Sequence, residues 1–532
     1  MNTERFTRLQ RSSGLIPYPI TLPYKASLDI IALVLIVALC VALRAFHLSA
    51  ASLWTDEIFS RYYADLFGLR YLVTDGLSIE ATPPTYPLLL RGWIALWGDS
   101  EAALRSLSVV ACAACVPVVY ALGRELGGRL QGLLGALLFA LCPMSLYFAQ
   151  EARVYAILML AAAVVLWAVA VFQRDPSSTK ATAAYLIGGT LCLYLHATAI
   201  LFIAACGAAV WLALLARGPG GREALLRWTV LNTIVLAFGL PYLLHVATAS
   251  QNGGLDWMPP LSLHEIGTSV SAVADGILMP YPWPAFPLAI ALAASLAASI
   301  YWFQPTSRAT VTLVVVPCLF VGLVMAVSLA RPLLLPRVLA WTTVPLCTAL
   351  AGQLLIAGRA RLAVLASVIA AFGVGLAYQI TSLSSNKEPW REAMREVAPE
   401  LAKADLVVIS PQFDPMVLTY YAPQARNIHL WDAGLRPNIM TAAAERMHVP
   451  MIVQSQILEA IKDGRSVWVL SNGFDAPYIA ELRAVVPATK VQEWRCGGTW
   501  PCVKVAGWLP DRPSQAVNAL VSTSVKNPPI HR

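Results

Sequence analysis

The chain has 532 residues, of which 58% are hydrophobic and only 13% are charged. Soluble domains carry about 25% charged residues, so one globular core cannot hide this much apolar surface and lipid must solvate part of it. The formal net charge of +8 then fits Lys and Arg facing anionic lipid headgroups, and no nucleic-acid partner is expected.

Apolar runs near the ~20 residues needed to cross a bilayer recur through the first two thirds of the chain. The run beginning near residue 28 follows a basic stretch and is predicted to be an uncleaved anchor. The boundary at 195–198 is the least distinct, because one long apolar stretch lacks a clear turn there. The runs predict eleven membrane-spanning helices, near 28–47, 102–122, 130–148, 154–172, 183–197, 198–216, 229–248, 285–303, 310–330, 338–357 and 362–381.

Basic residues in short loops predict the orientation, since Lys and Arg favour the cytoplasmic side. A cytoplasmic N-terminal segment, residues 1–27, places two long loops outside, 49–101 and 249–284. The first outer loop contains Arg61, Arg70 and Arg91, which go against this rule. The loops predicted to be cytoplasmic are all basic: 123–129, 173–182, 217–228, 304–309 and 358–361.

Each long outer loop contains one short predicted helix. The apolar piece from Tyr86 to Trp97 is too brief to span and is predicted to lie at the membrane interface. The loop 249–284 contains a second short helix at 262–277. The transmembrane part is therefore predicted to cover 28–381 and to carry these two loops on its outer face.

The composition changes after residue 381. A charged helix runs from Pro389 to about Lys403, and Leu406–Ile409 and Val467–Leu470 have the apolar pattern of buried strands. Alternating strand and helix signals predict a small extracytoplasmic α/β domain over 382–510. Residues 511–532 are predicted to be disordered.

The ten cysteines form two groups. Eight lie inside apolar runs and are expected to be small packing residues. Cys496 and Cys502 lie in a polar stretch of the tail. An extracytoplasmic position favours a disulfide between them, and two free thiols are the alternative.

Three carboxylates are predicted to meet at the outer ends of the spans. Asp56 and Glu57 follow the first span, and Glu151 lies at the outer turn between the third and fourth. Ionisable groups close to hydrocarbon are costly and are therefore candidates for function. Adjacent side chains diverge, so Asp56 is expected to face the site and Glu57 to support it. The alternatives are solvated interfacial acids and, for Glu151, a local ion pair with Arg153.

Two arginines at outer span ends, Arg153 and Arg337, have side chains suited to phosphate, because guanidinium is always charged and can bind bidentately. Snorkelling to lipid headgroups is the alternative. The sequence has no metal-ligand spacing, so a requirement for a divalent cation stays open. It also has no Walker A loop, no Gly-x-Gly-x-x-Gly motif and no Asp-x-Asp pair. An enzyme outside the cytoplasm has no nucleotide sugar to draw on, and a polyprenyl-phosphate sugar meets that need.

Four motifs resemble bacterial membrane glycosyltransferases of family 39, in the GT-C superfamily, which includes protein O-mannosyltransferases and the lipid A aminoarabinose transferase. The resemblance covers roughly residues 30–400. The motifs are Trp54-Thr-Asp-Glu57, Pro83-Pro-Thr-Tyr-Pro87 with Ser100-Glu-Ala-Ala-Leu-Arg105, Tyr147-Phe-Ala-Gln-Glu-Ala-Arg-Val-Tyr155, and Pro389-Trp-Arg-Glu392.

The resemblance implies a GT-C fold and an inverting sugar transfer from a polyprenyl-phosphate donor to an acceptor hydroxyl. Asp56 would be the catalytic base, with Glu57 beside it. Glu151 would orient the acceptor or a bound cation, and Arg153 and Arg337 would stabilise the leaving phosphate. The candidate substrate-binding residues are Tyr86, Tyr155 and His196, although a lone histidine at a span end is more often a packing residue.

The acceptor can be a lipid, a protein or a glycan, and the resemblance implies the inner membrane of a bacterium. A transporter or flippase with an outer domain is the alternative from another class. It would place its charges in mid-span, beside broken helices. A structural or sensory protein is a further alternative, but it leaves the acidic residues without a role.

Overall fold

The computed structural model describes residues 26–65, 68, 70, 83–251, 258–276, 307–356, 361–411, 415–434, 439–472, 476–496 and 500–510. A bundle of apolar helices comes first, and a mixed sheet with flanking helices follows. Residues 1–25 of the predicted N-terminal segment 1–27 and the whole predicted tail 511–532 lie outside the described residues.

The described apolar helices overlap the predicted spans, and among these only the span 130–148 is interrupted. Two helices of 17 residues, Thr179–Leu195 and Ala199–Leu215, occupy two of the predicted spans. Span 285–303 lies outside the described residues, so the total of eleven stays a prediction. Seven described helices are long and apolar enough to cross a membrane: Leu28–Ala45, Glu101–Gly127, Tyr155–Arg174, Arg222–Leu244, Arg308–Ser328, Pro336–Leu355 and Leu362–Thr381.

The predicted span 130–148 is not one continuous helix, which corrects the sequence analysis. It consists of Arg129–Leu141 and Pro143–Ala149, which are bent by 57°. Proline lacks an N–H and disfavours helical backbone in the preceding residue, and Cys142 is extended. The buried Arg44 caps the break by donating to Ala140 O at 2.8 Å and to Phe139 O at 3.2 Å.

The weak boundary at 195–198 is a true break between two helices. His196 has extended backbone after Leu195, and its Nδ1 lies 2.8 Å from Thr198 Oγ1. The next helix begins at Ala199. The polar residues His196 and Thr198 therefore interrupt an otherwise apolar stretch.

Three short helices lie between the long ones. Thr55–Asp65 and Thr85–Trp97 pack against each other, and the second matches the helix predicted for 86–97. Leu263–Asp275 matches the helix predicted at 262–277. It ends at Gly276 in left-handed conformation (φ 68°), where a Cβ would meet Pro143 at 2.5 Å.

The C-terminal part is built on a six-stranded sheet with strand order β3-β2-β1-β4-β6-β5. The pairs β1–β2, β2–β3 and β1–β4 are parallel, and β6 pairs antiparallel with β4 and β5. Every residue of β1 and β4 is buried, as expected for strands covered on both faces. The strands are Leu406–Ile409 (β1), Ile428–Asp432 (β2), Met451–Val453 (β3), Val467–Asn472 (β4), Lys490–Cys496 (β5) and Trp500–Trp508 (β6).

Five helices accompany the sheet. Trp390–Leu401 buries Trp390, Met394, Val397 and Leu401, which form one helical stripe. A disulfide joins Cys496 to Cys502, whose Cα atoms lie 5.7 Å apart, near the β5–β6 turn. The small α/β unit of the predicted fold class is confirmed, while its boundaries at 382 and 510 stay a prediction. The other four helices are Pro415–Tyr421, Ile439–Arg446, Gln454–Lys462 and Ala476–Val485.

Candidate functional site

Asp56 and Glu57 lie in the first turn of the helix Thr55–Asp65. Carboxylates are favoured there because the unpaired N–H groups of a helix start carry partial positive charge. Consecutive side chains on a helix point about 100° apart. As a result the Glu57 side chain is 0% exposed, whereas the Asp56 side chain is 33% exposed.

Glu57 is held by a buried inner cluster, which we define as Glu57, Arg105, Glu151 and Lys387. Arg105 binds it bidentately, with Nε 2.8 Å from Oε1 and Nη2 2.7 Å from Oε2. Ala152 N donates to Oε1 at 2.7 Å, and Lys387 Nζ donates to Oε2 at 3.3 Å. Burial alone would raise the pKa of Glu57, but Arg105 and Lys387 hold it well below its usual range.

Glu151 shares Lys387 with Glu57. Its Oε1 lies 3.7 Å from Lys387 Nζ and is buried without a hydrogen-bond partner among the described residues. Burial raises the pKa of Glu151, the Lys387 ammonium opposes this rise, and Glu57 adds to it. Burial lowers the pKa of Lys387, and Glu57 opposes that change. In the described part of the chain Glu151 therefore pairs with Lys387, and the alternative of a local pair with Arg153 is not formed.

Asp56 belongs to a second, more open group, the outer cluster, defined as Asp56, Arg153 and Arg337. Arg337 Nη1 donates to Asp56 Oδ2 at 3.0 Å, and Arg153 Nη2 lies 3.5 Å from the same oxygen. Arg153 Nη1 also donates to Asp56 O and to Ser60 Oγ, both at 3.0 Å. Asp56 and both predicted phosphate-binding arginines thus meet at one point.

The three candidate substrate-binding side chains lie around the outer cluster. The rings of Tyr155 and His196 are 5.9 Å apart, and Tyr155 is close enough to Arg153 and Arg337 to interact with both electrostatically. Tyr86 is 3% exposed, and its hydroxyl has no hydrogen-bond partner in the described residues. A buried, unpaired hydroxyl is costly unless a ligand or water satisfies it, so Tyr86 stays a candidate for substrate contact.

The described residues contain no ready-made ligand set for a metal ion. Among the described residues, no group of three or more His, Cys, Asp or Glu side chains is placed to hold one. The most exposed carboxylate of the site, Asp56, faces two guanidinium groups.

The sequence analysis missed Arg105, Lys387 and Glu388 as site residues. Arg105 lies five residues into a membrane helix and is buried, and Lys387 follows the last membrane helix directly. A charge at such a position has to be paired, and that signal was available in the sequence. Glu388 accepts from Thr55 N at 2.9 Å, a contact that only the fold reveals.

This chain is similar to a known sequence family and to solved structures. Residues 81–245 match the sequence model of a family described as dolichyl-phosphate-mannose-protein mannosyltransferase. No individual curated protein matches the sequence significantly. The structure of ArnT from Cupriavidus metallidurans in the apo state superposes with a TM-score of 0.58 at 14% identity, covering 91% of this chain and 99% of that chain.

The chain has the GT-C fold. ArnT from the same organism bound to undecaprenyl phosphate gives a TM-score of 0.57 at 14% identity, with 90% of this chain and 98% of that chain covered. The predicted resemblance to GT-C glycosyltransferases is confirmed, as is the predicted class of a multi-pass helical membrane protein with a small α/β unit. At this identity the superposition establishes the GT-C fold, and the chemistry follows from the residues of the two clusters.

Proposed function

We propose that this protein transfers a sugar from a polyprenyl-phosphate donor to an acceptor hydroxyl, with inversion at the anomeric carbon. The observation that carries the proposal is the outer cluster, a partly exposed carboxylate between two arginines at the end of an apolar helix bundle. ArnT with the same fold binds undecaprenyl phosphate. A donor with a lipid tail suits a site that opens at the membrane.

The electrostatics of the two clusters favour an anionic ligand. Three carboxylates, Asp56, Glu57 and Glu151, face four cationic side chains, Arg105, Arg153, Arg337 and Lys387, which leaves one excess positive charge when all are ionised. The inner cluster balances its own charge, so the excess belongs to the outer cluster. A donor phosphate would bind there through Arg153 and Arg337.

Asp56 would act as the general base. Both of its arginine contacts use Oδ2, which leaves Oδ1 to take the proton of the acceptor hydroxyl. The acceptor oxygen forms a bond to the anomeric carbon while the bond from that carbon to the phosphate oxygen breaks. The electron pair goes to the phosphate, whose new charge Arg153 and Arg337 stabilise.

Glu151, Tyr86, Tyr155 and His196 would position the sugar and the acceptor. Among the described residues, Glu151 Oε1 and the Tyr86 hydroxyl are buried without a hydrogen-bond partner, so both can still bond to a substrate. The helix Leu263–Asp275 packs against Pro336–Thr342, the segment that carries Arg337. This contact places the helix Leu263–Asp275 beside the candidate phosphate-binding arginine.

We place the site on the extracytoplasmic face of a bacterial inner membrane. The basic loops predicted to be cytoplasmic, together with the disulfide beside the sheet, support this orientation. The charges of both clusters lie on loops and at helix ends, and this placement favours an enzyme over a transporter with charges in mid-span.

Mass spectrometry of a deletion strain tests the proposal. Glycans, envelope lipids and secreted proteins are compared between the wild type, the deletion strain and a strain complemented with the intact gene. We expect one acceptor to lose a single sugar mass in the deletion strain and to regain it on complementation. Identical glycans, lipids and proteins in all three strains would refute the proposed function.

A further inference from the structure

We infer that the segment 387–391, which joins the last membrane helix to the C-terminal sheet, positions the loop that carries Asp56. Lys387 and Glu388 are positioning residues for the transfer reaction, and the C-terminal part is a working part of the enzyme. The inference rests on the proposed function.

Glu388 fixes the start of the helix that carries Asp56. Its Oε2 accepts from Thr55 N at 2.9 Å and from Thr55 Oγ1 at 2.5 Å. Trp390 Nε1 donates to the same oxygen at 2.6 Å, and Ser52 Oγ donates to Glu388 O at 2.8 Å. A carboxylate from the C-terminal part therefore satisfies an N–H group in the first turn of a helix far from it in sequence.

Lys387 fixes the other side of the same turn. Its side chain is 4% exposed, and its ammonium lies 3.3 Å from Glu57 Oε2, 3.2 Å from Gln150 O and 3.7 Å from Glu151 Oε1. One cation thus links the Asp56 helix to the turn that carries Glu151 and Arg153. No other described cation bridges these two segments by contacting both acids.

The irregular segment before the helix is fastened by two arginines from different parts of the chain. Five consecutive carbonyls, at 48–52, accept from Arg105 or Arg391. Arg105 donates to the carbonyls of residues 48, 51 and 52 at 2.8–2.9 Å. Arg391 donates to those of 49 and 50 at 3.1 and 2.8 Å, and to Glu101 Oε2 at 2.5 Å. Tyr421 OH, also from the C-terminal part, accepts from Leu53 N at 2.7 Å.

These contacts have a consequence for catalysis. A loop without regular secondary structure keeps its shape only through such hydrogen bonds, and here the C-terminal part supplies many of them. The arginines of the outer cluster lie on other elements, the 150–154 turn and Pro336–Thr342. Disturbing the 387–391 segment should therefore move Asp56 relative to a donor that still binds.

The test compares Lys387→Met with a matched control, Lys490→Met. Lys490 is also a paired lysine of the C-terminal part, 2.9 Å from Glu400, and its described side-chain contacts are with Glu400 and Trp468, which belong to neither cluster. We expect Lys387→Met to lower kcat by about 100-fold, the effect of a shift near 1 Å, with KM for the donor unchanged. Lys387→Arg should recover much of the lost kcat, and Lys490→Met should match the wild type.

Glu388→Gln is the second variant, in case Lys387→Met does not fold. It keeps the size of the side chain and removes the charge that strengthens its hydrogen bonds, so kcat should fall about 10-fold with KM unchanged. Wild-type kcat in both folded variants would overturn the inference, as would a rise in the donor KM that accounts for the whole loss of activity.

A measurement that needs no turnover separates this inference from the proposed function. Thermal unfolding is followed for Lys387→Met, Glu57→Gln and the double variant. We expect the double variant to unfold near the temperature of the worse single variant, because the two groups are in contact. Additive shifts would overturn the inference even in an active enzyme. A wild-type protein that transfers no sugar would refute the proposed function.

Discussion

Two adjacent residues, Asp56 and Glu57, belong to clusters of opposite character. Glu57 is completely buried and is held by donors on three other segments, whereas Asp56 is one third exposed and shares one oxygen between two arginines. The inner cluster is closed and balanced, and the outer cluster is open and carries excess positive charge.

One helix turn can therefore combine a stabilising residue, Glu57, with a reactive one, Asp56. A buried carboxylate with its charge compensated on all sides has little capacity left for a substrate. An exposed one with a free oxygen can accept a proton. The rigid inner cluster then serves to hold the reactive residue in place, and each of the following experiments tests one side of this contrast.

Glu57→Gln should break the inner cluster. Removing one partner of a buried ion pair leaves Arg105 uncompensated and Lys387 with Glu151 alone, which costs about 3–5 kcal/mol of folding free energy. Denaturation of the purified protein in detergent measures the change. The control Glu223→Gln removes an exposed i,i+4 partner of Arg227 and should stay within about 0.5 kcal/mol. A loss as small as that of the control would show that the inner cluster is not a structural centre.

Arg337→Ala should weaken the outer cluster without harming the fold. A charge-assisted hydrogen bond contributes about 1.5–3 kcal/mol, so donor affinity should fall about 10- to 100-fold. Arg337→Lys keeps the charge but loses the fork geometry and should be intermediate. Binding of polyprenyl phosphate measures this effect, with the exposed Arg227→Ala as the control. Unchanged affinity in Arg337→Ala would exclude this arginine from the phosphate site.

Acidification should lower the activity at a higher pH than the pH at which the protein unfolds. Burial raises the pKa of Glu151, so its carboxyl takes up a proton above the ordinary value of 4.5. The lowered pKa of Glu57 means that its contribution to stability is present above 4.5 and is lost only as the pH falls through its folded-state value. We therefore expect kcat/KM to fall reversibly before the protein unfolds.

Parallel pH profiles of kcat/KM and thermal unfolding check this order. Glu151→Gln should retain a lower activity whose acidic decline begins at a lower pH than in the wild type. Loss of activity and fold at one and the same pH would contradict the separate roles of the two glutamates.

Removing the disulfide should have the smallest effect. Replacing both Cys496 and Cys502 by Ser opens a short loop and should cost about 2 kcal/mol locally. The disulfide lies near the β5–β6 turn, away from both clusters, so kcat should not change. Limited proteolysis measures the local loosening of the sheet. A large fall in kcat would mean that this turn takes part in the site.

Much of the fold could be predicted from the sequence because the lengths of the apolar runs indicate where helices and buried strands form. The helices and the strands Leu406–Ile409 and Val467–Asn472 follow from runs of apolar residues. The bend at Cys142 was missed because the run 130–148 is apolar throughout, although Pro143 was a signal. The other strands are too short or too exposed to be distinguished without their partners.

The candidate site was only partly predictable. The acids and arginines at the ends of the spans could be found because charge near hydrocarbon is rare. The ion pairs between these residues could not be predicted, because Lys387 is more than two hundred residues from Glu151 in the sequence. The different orientations of Asp56 and Glu57 were expected because adjacent side chains on a helix point in different directions. Which of the two is buried depends on the position of Arg105.

Sugar transfer by Asp56→Asn in reconstituted liposomes tests the central claim most directly. Purified protein is supplied with a polyprenyl-phosphate sugar and with the acceptor that the deletion strain identifies, and release of free polyprenyl phosphate is followed. Asp65→Asn is the control, because Asp65 lies on the same helix, is 51% exposed and pairs only loosely with Arg61 at 3.6 Å. We predict that Asp56→Asn binds the lipid phosphate at least as well as the wild type but turns over about 10² to 10⁴ times more slowly, as expected for loss of a general base. Turnover of Asp56→Asn at the rate of the Asp65→Asn control would contradict the account.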